Sequence, residues 1–355
     1  MNSCRYTRAE RVRSVQTLRE PNEPRATARA VSLPRHPARR RLAALLMAAA
    51  LTSAAGCAAT DARDVVHQEQ PWEPAPTLTG LHLQTDRYDF YTTARDGMML
   101  EYVPVFLETA FADYQKVMAP PTPPDRRLPV YLFDNRQQWA RFTSQFVPDR
   151  ANVYLRILQG GYMDAATNSV VIWDLGRDRT LALLAHEGWH QYLSAYFPSP
   201  VPAWLNEGLA TQFEAFDLRG ARPTFTPRNN LHRKNSLREA LRVEGAWIEL
   251  DDLLTMHAGH AVLRAGQATR GYYAQLWALT LFLRSGPERQ WRQGFEKLLD
   301  DIAANRMVTR VHGYRAVTPQ AQAMPDSLIV FKLYISEDLH AVDNAYRQFA
   351  AALVN

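Results

Sequence analysis

One five-residue motif constrains this chain more than any other feature: His186-Glu187-Gly188-Trp189-His190. It matches the pattern H-E-x-x-H, with histidines four residues apart. On a helix this spacing places both imidazoles on one face, one turn apart, where they can bind the same metal ion. Glu187 lies about 100° further round the helix, so its carboxylate can reach a water on that metal. The motif therefore predicts a helix that carries a metal site and a general base.

A third protein ligand is needed to complete a catalytic site of this kind. The chain has two cysteines, Cys4 and Cys57, and both precede the region that is expected to fold. The third ligand must therefore be a histidine or a carboxylate. The best candidate is Glu207, seventeen residues after His190 in the segment Trp204-Leu205-Asn206-Glu207-Gly208-Leu209-Ala210. A turn rich in proline separates this segment from the first helix, so a helix hairpin can bring Glu207 back to the two histidines.

The two motifs together resemble those of the gluzincins, the thermolysin-like and aminopeptidase-like zinc peptidases. In that family the third ligand is the glutamate of an N-E-x-x-A motif, which Asn206, Glu207 and Ala210 match. The close match covers about 25 residues, and the chain also resembles bacterial lipoproteins and secreted proteins that carry this helix pair. The resemblance implies a Zn²⁺ cofactor held by His186, His190 and Glu207, with Glu187 as general base.

The resemblance also implies a tyrosine or histidine that stabilises the oxyanion of the reaction. The stretch Gly271-Tyr272-Tyr273-Ala274-Gln275-Leu276-Trp277 is similar to the helix start that carries this tyrosine in the aminopeptidase-like branch. Tyr273 is the favoured candidate, with Tyr272 as the alternative and His232 as a third choice. The alternative interpretation of each tyrosine is that it simply packs in the core.

Several neighbours of the motifs are expected to support the site. A ligating histidine usually donates its other N–H to a carboxylate or carbonyl, and the candidates for that partner are Glu214 and Gln191. Some gluzincins carry an acid four residues after the third ligand, where this chain has Thr211, so another residue or a backbone carbonyl must take that role. Three apolar side chains are predicted to pack the two ligand helices together: Trp189, Trp204 and Leu205.

The order of patterns predicts an α+β fold, with a small mixed sheet, an edge strand beside the H-E-x-x-H helix, and a mainly helical C-terminal part. The predicted strands are Tyr88–Thr92, Leu128–Phe133 and Asn168–Trp173. The predicted helices span 100–118, 135–146, 179–196, 203–216, 272–284 and 291–302, with Asp178 as the cap of the third. By the resemblance, Asn168–Trp173 is the edge strand that lines the cleft; its alternative is an ordinary sheet strand. Gly160-Gly161-Tyr162 is interpreted as a turn or as a mobile rim of the cleft.

The N-terminal region has the layout of an export signal. Residues 39–57 comprise a basic Arg39-Arg40-Arg41, the apolar run Leu42 to Leu51, small residues and Cys57. The run is too short to span a bilayer and suits a signal peptide. The small residues before Cys57 resemble a bacterial lipobox, which implies lipidation of Cys57; the alternative is an ordinary signal peptide with a coincidental cysteine. Residues 1–38 are interpreted as a disordered extension or as sequence upstream of the true start.

The predicted domain organisation follows from this leader. Residues 58–80 are polar and contain prolines, which is typical of a flexible tether. The catalytic domain is predicted over 81–355, with an α/β part at 81–197 and a helical part at 198–355. The formal net charge is +5, but residues 1–56 carry eleven arginines and three acids, a surplus of +8, so 57–355 sum to −3. Net charge therefore gives no support for a nucleic-acid partner.

These features predict a zinc-dependent hydrolase that cleaves amide bonds of peptides or proteins in the bacterial cell envelope. The lipid on Cys57 would attach it to a membrane, on the periplasmic side of the outer membrane, and without lipidation it would be secreted or periplasmic. The competing hypothesis is a zinc-binding envelope lipoprotein with a binding or assembly role and no turnover. The two hypotheses share the metal and differ in whether Glu187 acts as a base.

Overall fold

A computed structural model describes residues 65–220, 222–256 and 267–355. Its strands are β1 (Gln68–Ala75), β2 (Leu78–Gln84), β3 (Tyr88–Thr92), β4 (Leu128–Phe133), β5 (Gly161–Asp164), β6 (Ser169–Trp173), β7 (Phe216–Asp217) and β8 (Thr224–Phe225). Its helices are α1 (Gly97–Val117), α2 (Arg136–Phe146), α3 (Ala151–Tyr154), α4 (Arg177–Tyr196), α5 (Ala203–Ala210), α6 (Leu231–Arg242), α7 (Leu250–Thr255), α8 (Gln267–Ser285), α9 (Arg289–Ala303), α10 (Met307–Val317), α11 (Asp326–Tyr334) and α12 (Leu339–Val354). The predicted α+β class, with a mainly helical C-terminal part, is confirmed.

The main sheet is mixed and has six strands in the order β1-β2-β3-β4-β6-β5. β3, β4 and β6 run parallel, while β1, β2 and β5 pair antiparallel to their neighbours. Every residue of β6 is buried, so the strand is covered on both faces, which explains its continuous apolar run from Val170 to Trp173. One face packs on the main core beneath α1 and α4, and the other packs on a smaller cluster that includes Trp139 of α2.

The predicted positions of the strands along the chain are confirmed, but the predicted place of one strand in the sheet is wrong. β3 and β4 have the predicted bounds, and β6 begins one residue after the predicted start. The prediction that Asn168–Trp173 forms the edge is wrong, because β6 lies between β4 and β5. The edge strand beside α4 is β5, which begins at Gly161, where a turn was predicted. A Cβ on Gly161 would lie 2.3 Å from the Ile172 side chain, so glycine permits this close pairing.

The folded region begins before the predicted start at residue 81. β1 and the first three residues of β2 lie inside the predicted tether, which is therefore wrong from Gln68 onward. β1 is polar and exposed, so hydropathy does not reveal it, and its order comes from pairing with β2. Trp72 anchors the strand by packing on Tyr91 and Phe133. The predictions for residues 1–57, including the signal peptide and lipidation of Cys57, lie outside the described residues.

The helix α4 packs on α1, β5 and β6 and buries one face in the main core. Gly188 makes one of these contacts possible: its Cβ would lie 2.8 Å from the Tyr114 hydroxyl, which donates to the Ala185 carbonyl at 2.7 Å. The predicted cap is wrong, because α4 is preceded by Gly176, with φ +88°, and Asp178 lies in the first turn.

The second ligand helix, α5, is shorter than predicted because it tightens into a 3₁₀ turn after Ala210. It lies very close to α8: a Cβ on Gly208 would be 2.2 Å from Thr280 Oγ1. Trp189 and Trp204 are fully buried, as predicted for packing residues. Trp189 of α4 packs on Phe213, in the 3₁₀ turn that continues α5, so it joins the two ligand segments. Trp204 packs on Phe331 of α11, and Leu205, the third predicted packing residue, is also fully buried.

A buried carboxylate organises the C-terminal helices. Asp301 is fully buried and bonds the side chains of Lys297, Arg306, Arg310 and Tyr334 at 2.6–2.9 Å. Burial alone would raise the pKa of Asp301, but these hydrogen bonds and cations lower it to about 2. Across the described ranges, no helix has the length and apolar character required to cross a membrane.

Candidate metal centre

The helix α4 places His186 and His190 one turn apart on the same face. Their Nε2 atoms lie 3.2 Å from each other, and the ring centroids are 4.9 Å apart. The chain then turns through a proline-rich segment into α5, which returns Glu207 to the pair. Glu207 Oε2 lies 3.4 Å from the Nε2 atom of each histidine. The three residues predicted as ligands thus converge into a group that can hold a metal ion.

Hydrogen bonds at the far side of each ring fix which nitrogen faces the site. His186 Nδ1 is 2.9 Å from Glu214 Oε1, and His190 Nδ1 is 2.8 Å from Asn206 Oδ1. Both partners are acceptors, so in each neutral imidazole Nδ1 carries the proton and Nε2 carries a lone pair. Two imidazole lone pairs and a carboxylate oxygen therefore point at one small volume.

Glu214 is itself held by two partners from α6 and its cap. Arg233 Nε and Nη2 donate to the Glu214 oxygens at 2.7 and 2.5 Å, and Asn230 Nδ2 donates at 3.0 Å. Burial would raise the pKa of Glu214, but the charges of Arg233 and His186 and their hydrogen bonds lower it well below its usual range. The carboxylate therefore stays ionised and orients His186 rigidly.

These contacts decide between the predicted partners of the ligands. Glu214 is confirmed as the carboxylate that orients His186. Gln191 is not a partner of either histidine, because its amide donates to the carbonyls of Pro129 and Asn168. Thr211 donates to the Gly208 carbonyl, and the orienting acid lies three residues beyond it at Glu214.

The electrostatics of the centre favour a bound cation. Burial would raise the pKa of Glu207, but His190 and His186 lower it well below its usual range. Conversely, burial would lower the pKa of His186, but Glu207 and Glu214 raise it to about 10. Glu207 Oε2 is also buried and accepts no hydrogen bond from the described residues. A buried carboxylate oxygen without a donor is costly, and a metal ion would satisfy it.

Glu187 and Tyr273 flank the ligand group. Glu187 is half-buried on α4, and its charge contributes to raising the pKa of both His190 and Tyr273. The Tyr273 ring lies 6.1 Å from the His186 ring, centroid to centroid, and beneath the guanidinium of Arg233 at 5.1 Å. Tyr273 therefore lies beside the ligand group, and Glu187 lies on the same helix as both histidines.

The two alternatives to Tyr273 are placed differently. Tyr272 is fully buried, and its hydroxyl donates to the Met256 carbonyl at 3.3 Å, so this donor is already used. His232 lies on the accessible side of α6, next to Arg233. The geometry therefore favours Tyr273 among the three candidates.

Sequence reasoning missed the roles of Asn206, Asn230 and Arg233. Asn206 directly precedes Glu207, so the helix pair itself could have suggested its contact with His190. No local signal links Arg233 to Glu214, because the contact crosses the β7–β8 hairpin. Comparisons of the chain with models of known protein families, with curated proteins and with solved structures found no match.

Proposed function

We propose that the protein is a zinc-dependent hydrolase of the gluzincin type that cleaves peptide bonds. The observation that carries the proposal is the convergence of His186 Nε2, His190 Nε2 and Glu207 Oε2, with Glu187 and Tyr273 beside them. Histidine and carboxylate ligands in this ratio suit zinc in catalytic sites with three protein ligands.

The spacing of the ligand atoms supports zinc in particular. A tetrahedral zinc with ligand bonds of about 2.0–2.1 Å requires ligand atoms about 3.3–3.4 Å apart. The observed separations are 3.2 Å between the two nitrogens and 3.4 Å from each nitrogen to the carboxylate oxygen. A larger ion such as calcium prefers six to eight oxygen ligands, which this group does not offer.

The proposed reaction assigns one task to each side chain. A bound zinc ion supplies Lewis acidity, which lowers the pKa of a coordinated water to about 7 and polarises a carbonyl oxygen. Glu187 accepts the proton of the attacking water and delivers it to the leaving amine. Burial and the charge of Glu207 raise the pKa of Tyr273 well above its usual value, so its hydroxyl keeps its proton and can donate to the oxyanion.

The edge strand β5 supports a peptide as substrate. It is four residues long, lies next to α4 and ends the main sheet. An extended peptide can pair with such an edge through main-chain hydrogen bonds, which bind any sequence. This edge strand supports a polypeptide as the proposed substrate.

The experiment compares wild type with Glu187→Gln for zinc content and for hydrolysis of a mixed peptide library. The hydrolase proposal expects equal zinc in both proteins and loss of hydrolysis in the variant by at least about 100-fold. Zinc retained with no hydrolysis by either protein favours the competing hypothesis of a binding or assembly role. Absence of zinc from both proteins contradicts the site itself.

The proposed location rests on the leader sequence alone. Lipidation of Cys57 and attachment to a membrane in the bacterial envelope stay predictions. Mass spectrometry of the protein from its native membrane decides them: a diacylglyceryl adduct on an N-terminal Cys57 is expected, and an unmodified chain in the soluble fraction contradicts it.

A further inference from the structure

Two exposed arginines lie near the metal centre and have no role in the chemistry above. Arg179 is on the first turns of α4, and Arg270 is on α8 three residues before Tyr273. Partial burial and the charge of Arg233 lower the pKa of His232, and the charges of Arg270 and Arg179 lower it further. This agrees with the placement of Arg179 on α4 and of Arg270 one turn before Tyr273 on α8. Arg233 is paired with Glu214, whereas Arg179 and Arg270 form no ion pair with a carboxylate among the described residues.

The helix geometry gives the distance of this charge from the metal ligands. Arg179 precedes His186 by seven residues, so the two side chains share a helix face and lie about 10 Å apart along the axis. Arg179 Nη2 also donates to Gln159 Oε1 at 2.8 Å, which ties it to the segment just before β5. Asp178, the acidic neighbour, is paired with Arg177 at 3.4 Å.

The sheet topology gives the direction in which a substrate would run. Gly161 of β5 pairs with Ile172, at the end of β6 from which the chain enters α4. At the other end of β5, Asp164 pairs with Ser169, and Gln191 of α4 bonds the adjacent Asn168 carbonyl. β5 and α4 therefore run in the same direction, with Arg179 near the start of β5 and the metal ligands further along.

A peptide that pairs antiparallel with β5 runs in the opposite direction. Its chain passes the metal ligands first and then continues, toward its own C-terminus, to Arg179. An extended chain advances about 3.3 Å per residue, so about 10 Å corresponds to roughly three residues. The positive charge then lies two to three residues beyond the scissile bond.

We propose that Arg179 and Arg270 form an anion subsite that binds the C-terminal carboxylate of the substrate. This inference rests on the proposed function and sharpens it: the favoured substrates are peptides with a free C-terminus, from which the enzyme releases dipeptides or tripeptides. Arginine suits this task because its guanidinium binds a carboxylate through two parallel hydrogen bonds.

The test uses a library of N-acetylated hexapeptides in two forms, with free C-terminal carboxylates and with C-terminal amides. The full-length zinc-loaded wild type should hydrolyse the acids with kcat/KM about tenfold above the amides or more. Arg179→Gln combined with Arg270→Gln should bring that ratio close to one. The matched control is Arg141→Gln, an exposed arginine on α2, which should leave the ratio unchanged.

A binding measurement separates this inference from the proposed function. Isothermal titration calorimetry of both peptide forms with Glu187→Gln measures binding without turnover. Preference for the acids, lost when Arg179 and Arg270 are replaced, supports the subsite even if the wild type hydrolyses nothing, in which case only the proposed function fails. Equal binding of acids and amides, or binding of neither, overturns the subsite, while hydrolysis of both forms at equal rates leaves the hydrolase intact.

Discussion

Replacing Glu214 by glutamine perturbs the metal centre without touching a metal ligand. The substitution keeps the shape of the side chain, and its amide oxygen can still accept from His186 Nδ1. It removes the negative charge that raises the basicity of His186 and that neutralises Arg233. The side chains of Glu214 and Arg233 are 10% and 12% exposed, so solvent cannot replace the lost interaction between them.

The expected effect on the metal is large enough to measure directly. Mutation of the residue that orients a ligating histidine typically weakens metal binding by about 10–100-fold, or about 1.4–2.7 kcal/mol. Zinc affinity is measured by competition with a fluorescent chelator at pH 7.5. The matched control is Glu244→Gln, which removes an exposed carboxylate after α6 and should bind zinc as tightly as the wild type.

A second variant separates orientation of the ligand from folding. Glu214→Gln leaves Arg233 buried without its counter-ion, which should destabilise the fold by about 3 kcal/mol. Adding Arg233→Met removes that unpaired charge and should recover most of the loss in thermal unfolding, while zinc affinity stays low. If Glu214→Gln binds zinc with an affinity within twofold of that of the wild type, the role assigned to Glu214 is refuted.

Four further substitutions test other parts of the structure. Tyr273→Phe should lower kcat by about 100-fold with zinc content unchanged, whereas Tyr272→Phe should keep activity; equal losses in peptide hydrolysis contradict the assignment. Gly208→Ala should destabilise the fold by about 1–3 kcal/mol, because its Cβ would meet Thr280 Oγ1 at 2.2 Å, and an unchanged melting temperature counts against that packing. Asp301→Asn should cost about 2–3 kcal/mol in chemical denaturation. Because its folded pKa is lowered to about 2, this contribution is present above about pH 4 and is lost as pH falls through 2; equal acid sensitivity of variant and wild type would contradict it.

Local sequence patterns were sufficient where one segment determines its own structure. β3 is rich in aromatic residues and threonine, and β4 is a short apolar run, so the composition of each predicts a strand. The helix α2 follows its cap Asn135, whose side chain accepts a hydrogen bond from the backbone N–H of Gln138. The spacing of His186 and His190 likewise determines their shared face, so the core of the candidate site follows from helix geometry.

Patterns failed where the structure depends on distant pairing. β1 is polar, and nothing within it shows that β2 supplies its hydrogen bonds. The sequence of β6 shows a buried strand but not which strand covers its other side, so the four-residue β5 was missed as the edge.

The contacts that support the metal ligands also join residues that are distant in the sequence, so local patterns did not reveal them. Glu214 and Arg233 are nineteen residues apart, and the β7–β8 hairpin lies between them in the chain. Glu214 could be proposed as a partner of a ligand because of its chemistry, whereas the arginine that holds it had no sequence signal.

The central claim is that His186, His190 and Glu207 bind one zinc ion, and anomalous diffraction at the zinc edge from crystals of the zinc-loaded protein tests it most directly. The account predicts a single strong peak about 2.0–2.2 Å from Nε2 of both histidines and from a Glu207 carboxylate oxygen. Absence of a peak at these atoms, or a zinc ion bound without Glu207, would contradict it.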